Sequence, residues 1–221
     1  MAGFEPKATL LAFNQINPDL DKKEFPLYDP EDLIEYAGRW DYGPRSIAKM
    51  GDRDIIGRWL GSGEESMVEM GDATFFVVCS RVVTHELVRH RLASYQQESQ
   101  RFVRYDEEEP DLLFYEPVMA ESEEEGYWGL LTASLQEYQR LRNNGVGPQY
   151  ARYVLPNATR TRIIVKANFR EWRHIIRLRC HTSAQPEMQQ VAWQIHDELA
   201  ERFPSVFGDL KNKILAERMA R

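Results

Sequence analysis

The sequence predicts an α+β or mixed α/β domain built around one small sheet. Three observations carry this. The 221 residues fit a single domain with elaborations, at about 150 residues per domain. A hydrophobic fraction of 43%, with 5 Trp, 10 Tyr and 10 Phe, can furnish a core and excludes a mainly disordered chain. Segments that read as strands are few, and segments of helical periodicity separate them.

Residues 1–30, punctuated by Pro6, Pro18, Pro26 and Pro30, read as an extended lead-in with one strand near Thr9–Phe13. Glu31–Gly38 reads as a helix closed by glycine and Ile47–Leu60 as a second, while Gly57-Arg58 and Gly61-Ser62-Gly63 look like turns between helices. Asp72–Cys79 (DATFFVVC) is β-branched and aromatic, so it is expected to be a core strand. Val82, Val83, Leu87 and Val88 recur at helical spacing, which predicts a helix from about Arg81 to Arg91. Leu92–Tyr105 is polar and reads as an irregular segment presenting side chains. Tyr127–Asn143 is amphipathic and ends at Asn144-Gly145, and Pro148 opens a short helix that stops before Pro156. Arg160–Asn168 alternates as a strand does, Phe169–His181 is helical, and Pro186 starts a helix reaching about Phe203.

Several classes are excluded. The longest apolar run, Ala73–Cys79, is too short to cross a bilayer, and Met1–Leu10 has neither the basic lead nor the apolar stretch of a signal peptide. Two cysteines make no disulfide framework and point to a reducing, cytoplasmic setting. The histidines show no zinc-protease pairing, and no other metal-ligand pattern appears. Neither a G-x-G-x-x-G nor a phosphate-loop lysine motif is present. The net charge of −7 argues against a nucleic-acid partner. That charge is unevenly placed: Asp106–Glu125 holds ten acids and no base, while Arg152–His181 holds eight Lys or Arg and one acid. A basic concentration in an acidic chain suggests a local anionic ligand such as a phosphate, or surface arginines balanced by the acidic stretch.

Two polar constellations stand out. Arg89-His90-Arg91 is followed by Ser94, Gln96, Gln97, Ser99 and Arg101. Arg and Ser side chains with backbone N–H groups suit a phosphate, and the amides can read the edge of a heterocycle. The second constellation is the helix Phe169–His181, whose apolar stripe Trp172, Ile175, Ile176 continues onto Arg179. A buried or half-buried Arg needs an anion or polar acceptors, which singles out Arg179. Arg170, His174, Arg177 and His181 form a separate stripe that a solvated face would also explain.

Arg89-His90-Arg91, seven residues, then Ser99 is similar to the R-H-R-x7-S signature of the flavin-dependent thymidylate synthases, and RHRLASYQQESQR over Arg89–Arg101 resembles that family's motif nearly residue for residue. Ala151-Arg152-Tyr153-Val154-Leu155-Pro156 looks like its A-R-x-x-L-P segment. Asn168-x-Arg170, with His174 and then Leu178-Arg179, is similar to its late block. The resemblance covers roughly Glu64–Val191. It implies one mixed α/β domain over 1–221, with a central, mostly antiparallel sheet flanked by helices, assembled as a homotetramer with active sites at subunit interfaces. The implied reaction makes dTMP from dUMP, with 5,10-methylenetetrahydrofolate as carbon donor and NADPH reducing a bound FAD.

The resemblance also implies roles. Ser66, Arg89, His90, Arg91, Gln97, Asn168, Arg170 and His174 would hold FAD; Ser66 stands in Glu64-Glu65-Ser66-Met67, where many members carry a His-Glu-Thr-Pro-like text. Glu86, Arg89, Gln97, Glu98, Ser99, Gln100, Arg101, Arg152 and Arg179 would hold dUMP, with Arg179 the catalytic arginine that holds and polarises the pyrimidine. Asp41, in Gly38-Arg39-Trp40-Asp41, replaces a Ser or Cys common in the family and is given no role. A chain of another class, an RNA- or nucleotide-binding module without catalysis, would share the Arg-rich, aromatic-interleaved segments. A flavoprotein without synthase activity is a third reading.

Overall fold

The computed structural model describes residues 3–219. Strand β1 (Lys7–Phe13) is followed by helices α1 (Pro30–Trp40), α2 (Pro44–Ile47) and α3 (Asp54–Ser62). A 3-10 turn at Ser66–Met70 leads into β2 (Asp72–Ser80), which passes directly into α4 (Arg81–Leu87) and then β3 (Ala93–Gln97). Next come α5 (Pro110–Leu113), the long α6 (Glu121–Asn143) and α7 (Pro148–Ala151), with a 3-10 turn at Arg152–Val154. β4 (Arg160–Asn168) passes directly into α8 (Phe169–Arg179), followed by α9 (Pro186–Arg202), α10 (Pro204–Phe207) and α11 (Leu210–Met219).

The sheet has the order β1-β2-β4-β3. Its pairs are antiparallel, because strand starts meet strand ends: Asn14 N donates to Asp72 O, Phe169 N to Gly71 O, Arg81 N to Thr159 O, and Glu98 N to Arg162 O. Alternation fixes the faces. In β4 Thr161, Ile163, Val165 and Ala167 are buried, while Arg162, Ile164 and Lys166 face solvent.

The chain gathers into two compact units. One comprises residues 3–7, 77–89 and 95–164, and the other 8–76, 90–94 and 165–219. The first unit's core is Tyr105, Leu113, Phe114, Trp128, Leu131, Leu135, Tyr138 and Ala151. The second is built on rings: Phe75 meets Trp172 edge-on at 5.1 Å, and Phe169 packs on Phe203 at 4.8 Å and Phe207 at 5.2 Å. A Cβ at Gly71 would lie 2.3 Å from Phe169, so a side chain there would displace the ring that opens α8.

Several expectations are corrected. Ile47–Leu60 is not one helix; α2 stops at Ile47, and Gly57 lies inside α3 rather than in a turn. Gly63 at φ 87° then caps α3 in the left-handed region. The helix after β2 ends at Leu87, so Arg89-His90-Arg91 lies beyond it. The segment read as irregular contains β3. Helix α6 starts within the acidic stretch, where Glu121, Glu123 and Glu124 in its first turn favour the positive end of its dipole. The sequence pattern gives no sign of α11.

Candidate functional site

The first constellation lies in the unit containing α4. Ser80 leads β2 into α4, whose last turn is fixed when the Tyr95 hydroxyl donates to Leu87 O at 2.6 Å. The Gln97 amide donates to Thr84 Oγ1 and Thr161 Oγ1, both at 3.2 Å. Both Glu98 oxygens accept a hydrogen bond: Arg162 Nη1 donates to one at 2.7 Å and the Tyr105 hydroxyl to the other at 2.9 Å. Burial first, and then the Glu98 carboxylate, push the Tyr105 phenol well above its usual value, so it stays a donor. Ser99 Oγ accepts from Arg101 N at 3.3 Å, which shapes the turn that follows β3. Gln100 is buried, and its Nε2 has no hydrogen-bond partner. Glu86, Arg89, Gln97, Glu98, Ser99, Gln100, Arg101 and Arg152 all belong to this unit. Arg81, which the motif does not include, joins them with a buried Nη1 that has no acceptor.

The second constellation lies in the other unit and contains His90, Arg91, Asn168, Arg170, His174 and Arg179. Helix α8 positions most of it. Asn168 caps the helix by accepting from Glu171 N at 2.8 Å, and Trp172 Nε1 anchors it by donating to Ala73 O at 3.0 Å. Arg179, half-buried at the last turn, donates from Nε to His90 Nε2 at 3.0 Å. His90 is 5% exposed, its Nδ1 lies 3.6 Å from Glu171 Oε1, and its ring meets His174 edge-on at 5.6 Å. A ring that accepts at Nε2 carries its proton on Nδ1, facing Glu171. Burial, then Arg179 and His174, lower the His90 pKa from 6.5 to about 4, so it is neutral at pH 7. Arg170 is held by Glu69 at 2.6 Å and Glu65 at 3.6 Å. A cavity of about 490 Å³ is lined by Glu65, Glu69, Leu92, Asn168, Arg170, Glu171 and His174. Ser66 is exposed, beside Glu65 in sequence.

His90 makes the fold pH-sensitive in a calculable direction. Between about pH 6.5 and 4 the unfolded chain takes up a proton that the folded one refuses. This stability is therefore complete above about pH 6.5 and lost as pH falls toward 4. The shift corresponds to an upper bound of ~3 kcal/mol. Urea unfolding at pH 7 and pH 4.5 should show a steeper loss in wild type than in His90→Asn. Equal losses would mean that the folded protein accommodates a charged His90.

The arginines sort into two groups. Arg39, Arg53, Arg58, Arg140, Arg142, Arg160, Arg162, Arg170, Arg173, Arg177 and Arg202 each have a carboxylate partner within 4 Å. Among the described residues Arg45, Arg81, Arg89, Arg91, Arg101, Arg104 and Arg152 make no side-chain ion pair, and four of these seven belong to the motif segments singled out from sequence. Cations kept clear of carboxylates can receive an anionic ligand. No cluster of His, Cys, Asp and Glu among the described residues is placed to hold a metal, and no helix among them is long and apolar enough to cross a membrane.

On a mixed α/β fold these arginines can receive small anionic ligands. The family model described as thymidylate synthase complementing protein matches residues 26–205, spanning both units. The flavin-dependent thymidylate synthase of Pyrococcus furiosus is 40% identical over 177 residues, covering 77% of this chain and 72% of that protein. The one from Mycobacteroides abscessus is 34% identical over 206 residues, covering 84% and 81%. The UMP/dUMP methylase PolB from Streptomyces cacaoi, solved with 5-Br dUMP, shares the fold at a TM-score of 0.78 and 20% identity, covering 96% of this chain and 97% of that one. The chain belongs to the flavin-dependent thymidylate synthase family.

Proposed function

We propose that this chain is an FAD-dependent thymidylate synthase that methylates dUMP to dTMP, with 5,10-methylenetetrahydrofolate as carbon donor and NADPH as reductant. The observation that carries this reading is that Arg89, Arg91, Arg101 and Arg152, all in the motif segments, make no side-chain ion pair. Arg89, Arg101 and Arg152, with Ser99 and Gln100, would hold dUMP. Gln97, held by Thr84 and Thr161, offers its carbonyl oxygen to the ring edge. Glu86 belongs to the same set, and Glu98 acts through its grip on Arg162 and Tyr105. Arg179 would face the pyrimidine, its Nε held by neutral His90, and would meet charge developing on O2 and N3.

The second unit fits a flavin in most respects. Unpaired Arg91, the exposed Leu92, His174 and the Asn168 cavity suit a large anion with an apolar ring. Arg170 must give up Glu65 and Glu69 to meet that anion, and Ser66 completes the set in this unit. When bound, FAD supplies the hydride. Release of tritium from carbon 5 of labelled dUMP, dependent on FAD and the folate, tests the activity. A flavin spectrum that forms with FAD and bleaches with NADPH, without tritium release, would mark a flavoprotein that is not a synthase.

We infer one synthase domain over 1–221, cytoplasmic, assembled as a homotetramer whose chains share FAD, with no nucleic-acid or membrane partner. Bound FAD then stabilises the assembly by mass action. Sedimentation with and without FAD should show the larger species favoured by the flavin; a monomer binding FAD at full affinity would refute sharing. Exposed Phe102 and Tyr153, adjacent in sequence to Arg101 and Arg152, favour an alternative, a nucleotide- or RNA-binding module without catalysis. Salt-sensitive RNA binding without FAD uptake would support it.

A further inference from the structure

We propose that the cavity walled by α1, α2 and α3 is a second nucleotide site, for a phosphorylated nucleotide other than the methyl acceptor. The cavity, of about 760 Å³, is lined by Arg39, Tyr42, Arg45, Lys49, Arg58 and Trp59, among others. None of these six belongs to the residues assigned to FAD or dUMP, so the site is independent of the synthase reading.

The wall is fixed from behind. The buried Glu35 carboxylate accepts from Gly51 N and Asp52 N at 3.1 Å and pairs with Arg39 at 2.6 Å, while Arg39 Nη1 donates to Ser46 O at 3.2 Å. These bonds tie down the segment that carries Arg45 and Lys49, between Gly43 at φ 78° and Gly51 at φ 99°. Trp59 packs so closely on Gly38 that a Cβ there would lie 2.5 Å from its ring. Tyr42 lies parallel to Trp59, with 3° between the planes and 6.2 Å between centroids, and its hydroxyl donates to Glu64 Oε2 at 2.9 Å. Even so, Tyr42 is 57% exposed. A ring held at both ends and open to solvent is a preformed stacking surface, and every base has a π-face to lay on it.

Charge supplies the second half of the site. Arg39 is matched by Glu35, and Arg58 by Asp52 at 2.6 Å. Arg45 and Lys49 are exposed at the cavity and, among the described residues, make no ion pair. Two exposed cations alone are an ordinary solvated surface; these two share one cavity with a stacking ring. A base on Tyr42 with its phosphates on Arg45 and Lys49 uses both features. A nucleoside uses only the ring, and inorganic phosphate only the cations.

The test is calorimetric titration of the FAD-loaded protein, holding one equivalent of dUMP per chain, with adenosine 2′,5′-bisphosphate, thymidine triphosphate, adenosine and inorganic phosphate. Both phosphorylated nucleotides should bind more tightly than adenosine or phosphate. A tighter bisphosphate assigns the site to the adenosine end of a dinucleotide reductant, and a tighter triphosphate to a free nucleotide effector; either order supports the site. Arg45→Gln combined with Lys49→Gln should weaken the two phosphorylated probes about tenfold or more and leave adenosine within about twofold. Tyr42→Ala should weaken the nucleotides and adenosine alike, by about tenfold, whereas Tyr42→Phe keeps the ring and should bind nearly as wild type does. Absence of binding by both phosphorylated probes, or binding indifferent to these variants, would overturn the site. Binding that releases FAD, seen as a change in the flavin spectrum, would place the probe in the flavin cavity and overturn it as well. Phosphate bound as tightly as the nucleotides would overturn the nucleotide class. Tritium release from labelled dUMP tests the synthase reading separately and should be retained in all three variants.

Discussion

Arg179→Lys is expected to fold, assemble and keep its flavin, yet lose about 10²- to 10³-fold in dTMP formation, the usual cost of one preorganised donor to a developing anion. Two features of Arg179 carry the expectation. Its Nε is committed to His90 Nε2 at 3.0 Å, and His90 is in turn fixed against Glu171, so the guanidinium plane is set before any ligand arrives. Lysine reaches the same region with one point charge and cannot both hold His90 and address two ring atoms. The loss should fall on kcat as well as on dUMP affinity, because the developing charge is met only in the transition state. Melting temperature, flavin content and turnover measured on one preparation separate this from a structural role. A variant that melts early but turns over normally per bound flavin would remove Arg179 from catalysis.

The same arginine shows how far the chain could be read. The stripe Trp172, Ile175, Ile176 led to Arg179, and the structure leaves it half-buried at the end of that stripe. The stripe passes over Arg173, which is the more deeply buried cation, 3% exposed. Helical spacing alone gives no clue that Asp209 and Val206 supply its partners. Strand β4 was legible because its alternation is strict, and the Asn168 cap marks the start of α8. Strand β3 was not, because Ala93–Gln97 is polar and short, and only pairing with β4 makes it a strand. Helix α4 ends at Leu87 and not at the expected Arg91 for a related reason. Arg89, His90 and Arg91 suit a helix end, but His90 takes its partners, Glu171 and Arg179, from α8, and tertiary contact overrides local preference. Most candidate site residues came from the motif. Arg81 did not, because only the fold shows that its Nη1 is buried without an acceptor.

Removing Asp209 is expected to cost far more stability than removing the arginine it faces. Arg173 donates from Nη1 to Asp209 Oδ1 at 2.7 Å and from Nη2 to Oδ2 at 2.9 Å, with Nη1 also donating to Val206 O. The two ends differ in their surroundings. The Arg173 side chain is 4% exposed, whereas Asp209 is 32% exposed and has a second cation, Lys213, at 2.8 Å. Burial alone would raise the Asp209 carboxyl; hydrogen bonds from Arg173 and Lys213 outweigh it and hold the pKa below its ordinary value. Asp209→Ala strands a buried guanidinium with only one carbonyl, which should cost ~3–5 kcal/mol. Arg173→Met fills similar volume without a charge and leaves Asp209 with Lys213 and water, so its cost should be ~1–2 kcal/mol. The double variant should then recover most of the loss caused by Asp209→Ala, because the stranded charge is gone. Urea midpoints at pH 7, at one protein concentration and one flavin loading, measure all three. Equal losses in the two single variants, with no recovery in the double, would mean that Arg173 is not desolvated as its burial implies.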